Sequence, residues 1–194
     1  MQRRTRIATA LAALGTAMVV GAAPAAAFPV SAAPAGSVCP TAWGSLAKSR
    51  TAATTRPVQD VRTGRHSCFD RMVMDVPGVE AADLGYSVRY VDQLRQDGSG
   101  RVVPVAGGAV IEVRITAPAY DPATGAPVYP GQAGQPLPGV DLTGYHTFRE
   151  AVFGGSFEGE TQIGLGVRAR LPFRVTRLDG HLVVDVAHRW SGTP

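Results

Sequence analysis

The sequence predicts an all-β protein: a small two-sheet β-sandwich of about eight strands, with an N-terminal segment pinned by a disulfide. Apolar residues recur at every second position in successive segments from residue 69 onward. Gly, Asp and Pro separate these segments, as expected of turns between strands. Two cysteines follow an apolar N-terminus. A chain of 194 residues with this pattern is expected to form one domain.

Residues 1–27 have the pattern of a secretory signal peptide. A basic head, MQRRTR, precedes the apolar run IATALAALGTAMVVGA, and Ala25 and Ala27 occupy the small-residue positions before a cleavage point. The run is shorter than the ~20 apolar residues that a membrane span needs. We therefore expect cleavage after Ala27, with Ala33 as the second choice. The mature protein should be secreted or associated with the cell wall, without stable membrane insertion.

Loss of this segment changes the charge of the protein. The chain has 19 Lys and Arg against 15 Asp and Glu, and Arg3, Arg4 and Arg6 leave with the signal peptide. The mature protein is then nearly neutral. Nucleic-acid binding favours a basic patch or stripe, so we expect no nucleic-acid partner.

Residues 28–67 show little periodicity and are predicted to form an irregular segment with a short helical patch over residues 41–50. In an oxidising compartment Cys39 and Cys68 are expected to form a disulfide. Closing a loop of about 30 residues stabilises the fold by roughly 3–4 kcal/mol on the chain-entropy model. The bridge would hold the CPTAWGS turn, with Trp43, against the start of the first strand.

A catalytic alternative exists for the stretch GRHSCFDRMVMDV, in which His66 would activate a Cys68 thiolate. The two residues lie on the same side of an extended chain. A nucleophile also needs its base oriented by a third group, and an extracytoplasmic thiol would oxidise against Cys39. We therefore interpret this stretch as a disulfide beside a strand.

The predicted β-sandwich domain covers residues 68–190. Asp179 and Gly180 predict a two-residue hairpin near its end, and a second short helical patch is expected near Ala81. The eight predicted strands are 69–76, 86–94, 101–105, 109–117, 146–155, 160–167, 172–178 and 181–188.

One connection, residues 117–146, is long and rich in Pro and Gly. Loops of this length in a compact domain are often functional. It carries Tyr120, Tyr129 and Tyr145, which combine apolar area with a hydroxyl and are our candidates for ligand binding. The alternative is a connection whose tyrosines lie against the sandwich.

Signals for catalysis are absent from the sequence, which lacks zinc-type His and Cys spacing, a serine elbow and a dinucleotide fingerprint. We therefore expect no metal, no cofactor and no enzymatic activity. An alternative is a secreted hydrolase that uses Glu158, Glu160 and Asp185 as its acidic residues. A third reading is a scaffold that recognises other proteins through its edge strands.

Several ordered blocks carry a family resemblance across residues 39–190. The blocks are CFDRMVMDV, GYSVRYVDQLRQDGSGRVVPVAGGAVIEV, GSFEGETQIGLGVRARLPFRV and LDGHLVVDVAH. With these blocks the chain resembles the AMIN-like proteins of actinobacteria, and its ending FRVTRLDGHLVVDV is similar to that of true AMIN domains. The resemblance implies a small β-sandwich that binds peptidoglycan or an envelope protein, and no catalytic residue can be carried over.

Overall fold

The computed structural model describes Cys39 and residues 42–190. The predicted signal peptide and both cleavage points lie outside the described residues. Eleven strands and one 3-10 helix, Ala81–Asp83, form the domain. The strands are β1 (Lys48–Arg50), β2 (Asp60–Arg65), β3 (Phe69–Asp75), β4 (Tyr86–Val91), β5 (Leu94–Arg95), β6 (Val102–Val103), β7 (Ala109–Ile115), β8 (Phe148–Phe157), β9 (Glu160–Val167), β10 (Phe173–Leu178) and β11 (His181–Ala187).

The strands form two main sheets in which every neighbouring pair is antiparallel. One sheet has the order β1-β4-β7-β9-β8 and the other β10-β11-β3-β2, while β5 and β6 form a small separate ribbon. Both main sheets contribute to a single large core, with Met72 and Leu182 from one sheet and Ile111 and Leu165 from the other. The predicted all-β sandwich is therefore confirmed.

The N-terminal part differs from the expectation because β1 and β2 lie within the segment predicted to be irregular. In β2, DVRTGR, only Val61 is buried, so the strand has no apolar alternation to reveal it. The helical patch expected over residues 41–50 is wrong, since its last three residues pair with β4 as β1. The patch near Ala81 is confirmed as the 3-10 helix.

The two-residue hairpin at Asp179–Gly180 is confirmed between β10 and β11. Only Gly180 has a positive φ there. A second tight hairpin joins β8 to β9, and both of its turn residues, Glu158 (φ 50°) and Gly159 (φ 83°), have positive φ. Positive φ at both central positions is the geometry of a type I′ turn, whose twist matches that of the flanking strands.

The long connection 117–146 lies against the edge of β8. The Leu137 amide donates to the Ala151 carbonyl at 2.9 Å, and the Phe153 amide donates to the Gln135 carbonyl at 2.9 Å. Leu137 is also part of the core. Unpaired strand edges can pair with strands of other chains. The long connection covers the edge of β8, so this edge is not free for the protein recognition that the scaffold interpretation requires.

Candidate functional site

The outer surface of the four-stranded sheet carries aromatic and arginine side chains. Alternation in β3 buries Asp70 and leaves Phe69 and Arg71 half-buried on the outer side. The register places Asp185 of β11 opposite Arg71, and Arg174 of β10 opposite Asp185. The name aromatic–arginine face is used below for Trp43, His66, Phe69, Arg71 and Arg174.

A charged row crosses the centre of this face. Arg71 donates to the Asp185 carboxylate through Nε at 2.6 Å and Nη2 at 2.9 Å, and Arg174 donates to it through Nε at 2.8 Å. The Asp185 side chain is 1% exposed, whereas those of Arg71 and Arg174 are 32% and 40% exposed. The hydrogen bond to Asp185 raises the pKa of Arg71. One carboxylate between two guanidinium groups leaves this row with a net positive charge.

Aromatic rings surround the row. The His66 ring stacks on Phe69 with centroids 4.5 Å apart, and Trp43 meets the same ring edge-on at 5.6 Å. The Arg174 guanidinium carbon lies 4.5 Å from the Trp43 ring centroid, and that of Arg71 lies 5.2 Å from Phe69. Such cation–π contacts help to fix both arginines over the rings.

Trp43 reaches this face because its segment is tied down at two points. A disulfide joins Cys39 to Cys68, immediately before Phe69, as predicted. The Gly44 carbonyl also accepts a hydrogen bond of 2.9 Å from the Phe173 amide of β10. The expected contact between the Trp43 turn and the start of β3 is therefore confirmed.

The disulfide also decides the chemistry of residues 64–76. The sulfur of Cys68 is bonded to Cys39, so it is not a thiolate that His66 could activate. His66 instead stacks on Phe69 at the surface. The nucleophile interpretation of this stretch therefore does not fit the bonded cysteine.

The three acidic residues of the hydrolase alternative lie apart. Asp185 is on the outer side of the four-stranded sheet, beneath two arginines. Glu160 begins β9 of the other sheet, where it lies 3.5 Å from Arg114, and Glu158 is exposed at the adjacent hairpin turn. Packed sheets are about 10 Å apart, and these side chains are on opposite outer sides. Asp185 and the two glutamates therefore cannot flank one glycosidic bond.

A cavity of about 430 Å³ lies near that hairpin, lined in part by Asp97, Arg114 and Glu160. Arg114 forms ion pairs with Asp97, Glu160 and the buried Glu112. Burial acts to raise the pKa of Glu112, but hydrogen bonds from Arg89 and Gln162 and the charge of Arg114 hold it below its ordinary value. These charges are satisfied by one another, and we interpret the cluster as structural.

The tyrosines of the long connection do not form a common surface. Tyr129 is only 2% exposed and belongs to the core. Tyr145 is half-buried, stacks on Phe148, and donates its hydroxyl to Thr63 Oγ1 at 2.9 Å. Tyr120 is half-buried, and its hydroxyl accepts from the Gly159 amide at 3.1 Å. A residue that contacts a ligand must be exposed. Tyr129 is buried and does not meet this requirement, and Tyr120 and Tyr145 meet it only in part.

Tyr120 and Tyr145 are also far from each other. Tyr145 contacts Phe148 at the start of β8, and Tyr120 contacts Gly159 just beyond the end of that strand. A strand rises about 3.3 Å per residue, which puts these two contacts roughly 30 Å apart. The arrangement matches the alternative in which the tyrosines lie against the sandwich.

Metal binding has no support in the part of the chain that the structure describes. Within Cys39 and residues 42–190, no three His, Cys, Asp or Glu side chains come together as a metal site. Two of the histidines form hydrogen bonds with carboxylates: His181 with Asp75, and His188 with the buried Asp70. The same residues contain no helix with the length and apolar character needed to cross a membrane.

The sequence correctly predicted that Trp43 lies against the start of β3. It did not predict that Arg71, Arg174 and Asp185 form one cluster of ion pairs. Asp185 appeared only as a candidate acid of a hydrolase. Alternation within each strand could have indicated that Arg71 and Asp185 face outward. Their proximity depends on the pairing of β3 with β11, which a single sequence does not reveal.

No curated protein and no solved structure matches the chain with significance. A family model, AMIN-like domain, matches residues 56–188. The matched region contains both sheets except β1, and it begins after the segment that holds Trp43. Because it spans more than half of the chain, this protein belongs to the AMIN-like domain family.

Proposed function

We propose that this protein is a secreted, non-catalytic module that binds cell-wall peptidoglycan through the aromatic–arginine face. Membership of the AMIN-like family supports a non-catalytic module associated with peptidoglycan. The disulfide is in keeping with an extracytoplasmic location, because cytosolic thiols are kept reduced. The predicted signal peptide supports the same location.

The observation that carries the proposal is the combination of rings and guanidinium groups on an open sheet surface. Aromatic rings can pack on the apolar faces of sugars, and Trp and Arg are enriched among residues that dominate binding surfaces. Arg71 and Arg174 can donate to oxygen atoms on the same ligand. The surface of an antiparallel sheet is extended, as is a glycan strand. The aromatic–arginine face therefore fits peptidoglycan better than the separated tyrosines do.

Cosedimentation with insoluble, purified peptidoglycan tests the proposal. We expect the wild-type protein to pellet with it and Trp43→Ala to lose about thirtyfold in affinity, because hot-spot truncations cost roughly 2 kcal/mol. Trp190→Ala is the matched control: Trp190 is 51% exposed and is the only other tryptophan of the chain. Its binding should equal that of the wild type.

A charge control uses two arginines. Arg174→Ala should weaken cosedimentation, whereas Arg50→Ala, at an exposed position of β1, should not. Because the mature protein is nearly neutral, binding should persist at moderate salt, where a polybasic surface would be screened. Failure of the wild type to pellet would remove the proposed function. Equal losses in the Trp43 and Trp190 variants would remove this face as the site.

A further inference from the structure

We infer that the ligand of the aromatic–arginine face is a saccharide that carries a free carboxylate, such as N-acetylmuramic acid whose lactyl group bears no stem peptide. The inference rests on the proposed function and names the peptide-free glycan of peptidoglycan as the part that is recognised. It follows from the number of hydrogen-bond donors on this face, their charge, and their position beside the rings.

The donors exceed the acceptors that the protein supplies. A guanidinium group has five N–H donors. In the described part of the chain, Arg71 uses two of its nitrogens on Asp185, and Arg174 uses only Nε. Asp185 is almost fully buried and has its two oxygens occupied by these arginines. The remaining N–H groups of Arg174 therefore face solvent and can receive an anion.

The charge of the row favours an anion over a neutral group. Asp185 neutralises one of the two guanidinium groups, and one positive charge remains. The other described strand acids on the outer side of this sheet, Asp60 and Asp75, are paired with each other at the far end of β2 and β3. Asp75 is engaged there by Arg62 at 2.8 Å and by His181 at 2.6 Å. Hydrogen bonds between ionised partners are roughly twice as strong as neutral ones, and arginine binds carboxylates with two parallel bonds.

The rings place a sugar next to these donors. His66 is exposed and packs one side on Phe69, which leaves its other side to solvent. Trp43 lies beside the same ring and within 4.5 Å of the Arg174 guanidinium. A pyranose resting on this patch would hold a substituent within reach of Arg174. The surface therefore recognises a sugar and an acid in one ligand.

One of the aromatic rings of this surface, that of Trp43, comes from outside the family match. Trp43 lies before residue 56, where the match begins, and the Cys39–Cys68 disulfide brings it to the sheet. The arginines and Phe69 belong to the matched region. We therefore assign Trp43 as a specificity-determining residue that is added to the AMIN-like domain by its N-terminal segment.

Two matched probes test the inference. One is the disaccharide of N-acetylglucosamine and N-acetylmuramic acid, and the other is the same disaccharide with its carboxylate converted to the primary amide. In a Trp190→Phe background Trp43 is the only tryptophan, so its fluorescence reports ligand at this face. We expect the acid to bind about tenfold more tightly than the amide, as a charge-assisted hydrogen bond implies.

Variants of Arg174 test whether this residue causes the preference for the acid over the amide. Arg174→Ala should abolish the preference for the acid, and Arg174→Lys should restore only part of it, because lysine cannot form two parallel bonds. Arg50→Ala should keep the full preference. Equal affinity for the acid and the amide would overturn the inference, as would an unchanged preference in Arg174→Ala.

The source of the anion is tested by competition. Glycerol phosphate, which represents the phosphate groups of other wall polymers, should displace the disaccharide only at a much higher concentration. Displacement at an equal or lower concentration would overturn the assignment to a carboxylated sugar. Cosedimentation with peptidoglycan is measured on the same preparations. If it persists while the acid and amide bind equally, the ligand assignment fails and the proposed function stands.

Discussion

Individual side chains of β3 illustrate how much of this site alternation alone can explain. The stretch GRHSCFDRMVMDV places His66, Cys68, Asp70 and Arg71 within six positions. The last two belong to β3, which turns them to opposite sides of the sheet. Arg71 goes to the surface, whereas Asp70 is fully buried and accepts hydrogen bonds from the Thr147 and Phe148 amides. The sequence predicted this strand and its two sides. The sequence could not show that Asp70 accepts hydrogen bonds from the backbone at the start of β8, because these residues are far apart in the chain.

The burial of Tyr129 leads to a prediction of stability. Its hydroxyl is buried and, among the described residues, has no hydrogen-bond partner. An unsatisfied buried polar group costs about 1–3 kcal/mol. We therefore expect Tyr129→Phe to raise the free energy of unfolding by about 1 kcal/mol, measured by chemical denaturation. Tyr145→Phe is the control of opposite sign, because it removes the hydrogen bond to Thr63 and should lower that free energy by a similar amount.

The same residue should affect stability at alkaline pH. Burial raises the pKa of Tyr129 to about 12, with a further contribution from the charge of Asp60. The folded state then holds this proton more tightly than the unfolded state. The stability that this difference in pKa contributes is complete below the pKa of tyrosine in the unfolded state, which is near 10. It is lost as the pH rises through 12. Unfolding measured between these values should depend less on pH in Tyr129→Phe. An identical dependence would contradict the burial of this ring.

At the scale of elements, Cys39 and residues 42–50 connect the two sheets. The disulfide ties Cys39 to the start of β3, the Gly44 carbonyl binds β10, and β1 pairs with β4. The cysteine spacing and the compartment predicted the bond. The short strand β1 was not predictable, because three residues with one partner carry no periodic signal.

Removal of both cysteines should separate stability from binding. We expect Cys39→Ser with Cys68→Ser to lose roughly 3 kcal/mol of unfolding free energy on the chain-entropy model. Affinity for peptidoglycan should fall as far as in Trp43→Ala, because Trp43 is no longer held at Phe69. Both are measured at a temperature where circular dichroism shows an intact β-sheet. Full affinity in the folded double variant would mean that Trp43 reaches the face without the bond.

The long connection 117–146 is the element that sequence reasoning left open. Its length and tyrosines suggested a binding loop, but its hydrogen bonds to β8 make it a cover for a sheet edge. Composition could not distinguish these outcomes. The deciding contacts, such as those of Leu137 with Ala151, depend on which strand is at the edge. That order is a property of the whole sheet.

For the whole molecule, the sequence predicted the fold class and nearly every strand from residue 69 onward, because most of them bury one side. The sheet order and the aromatic–arginine face could not be predicted from the sequence, because both depend on pairing between strands that are far apart in the chain. The compartment remains a prediction. We expect the extracellular protein to begin at Phe28, or failing that at Pro34, by N-terminal sequencing. Recovery of intact Met1 in the membrane fraction would contradict cleavage.

The central position of β3 has a consequence for when this chain can fold. β3 is bonded along its length to β11, from Phe69 with Ala187 to Asp75 with His181, across more than one hundred residues. Folds built from such distant pairs form slowly. During synthesis the four-stranded sheet cannot be completed until residue 187 has left the ribosome. A chain that is exported while it is still being synthesised would therefore enter the translocation channel before its four-stranded sheet could form.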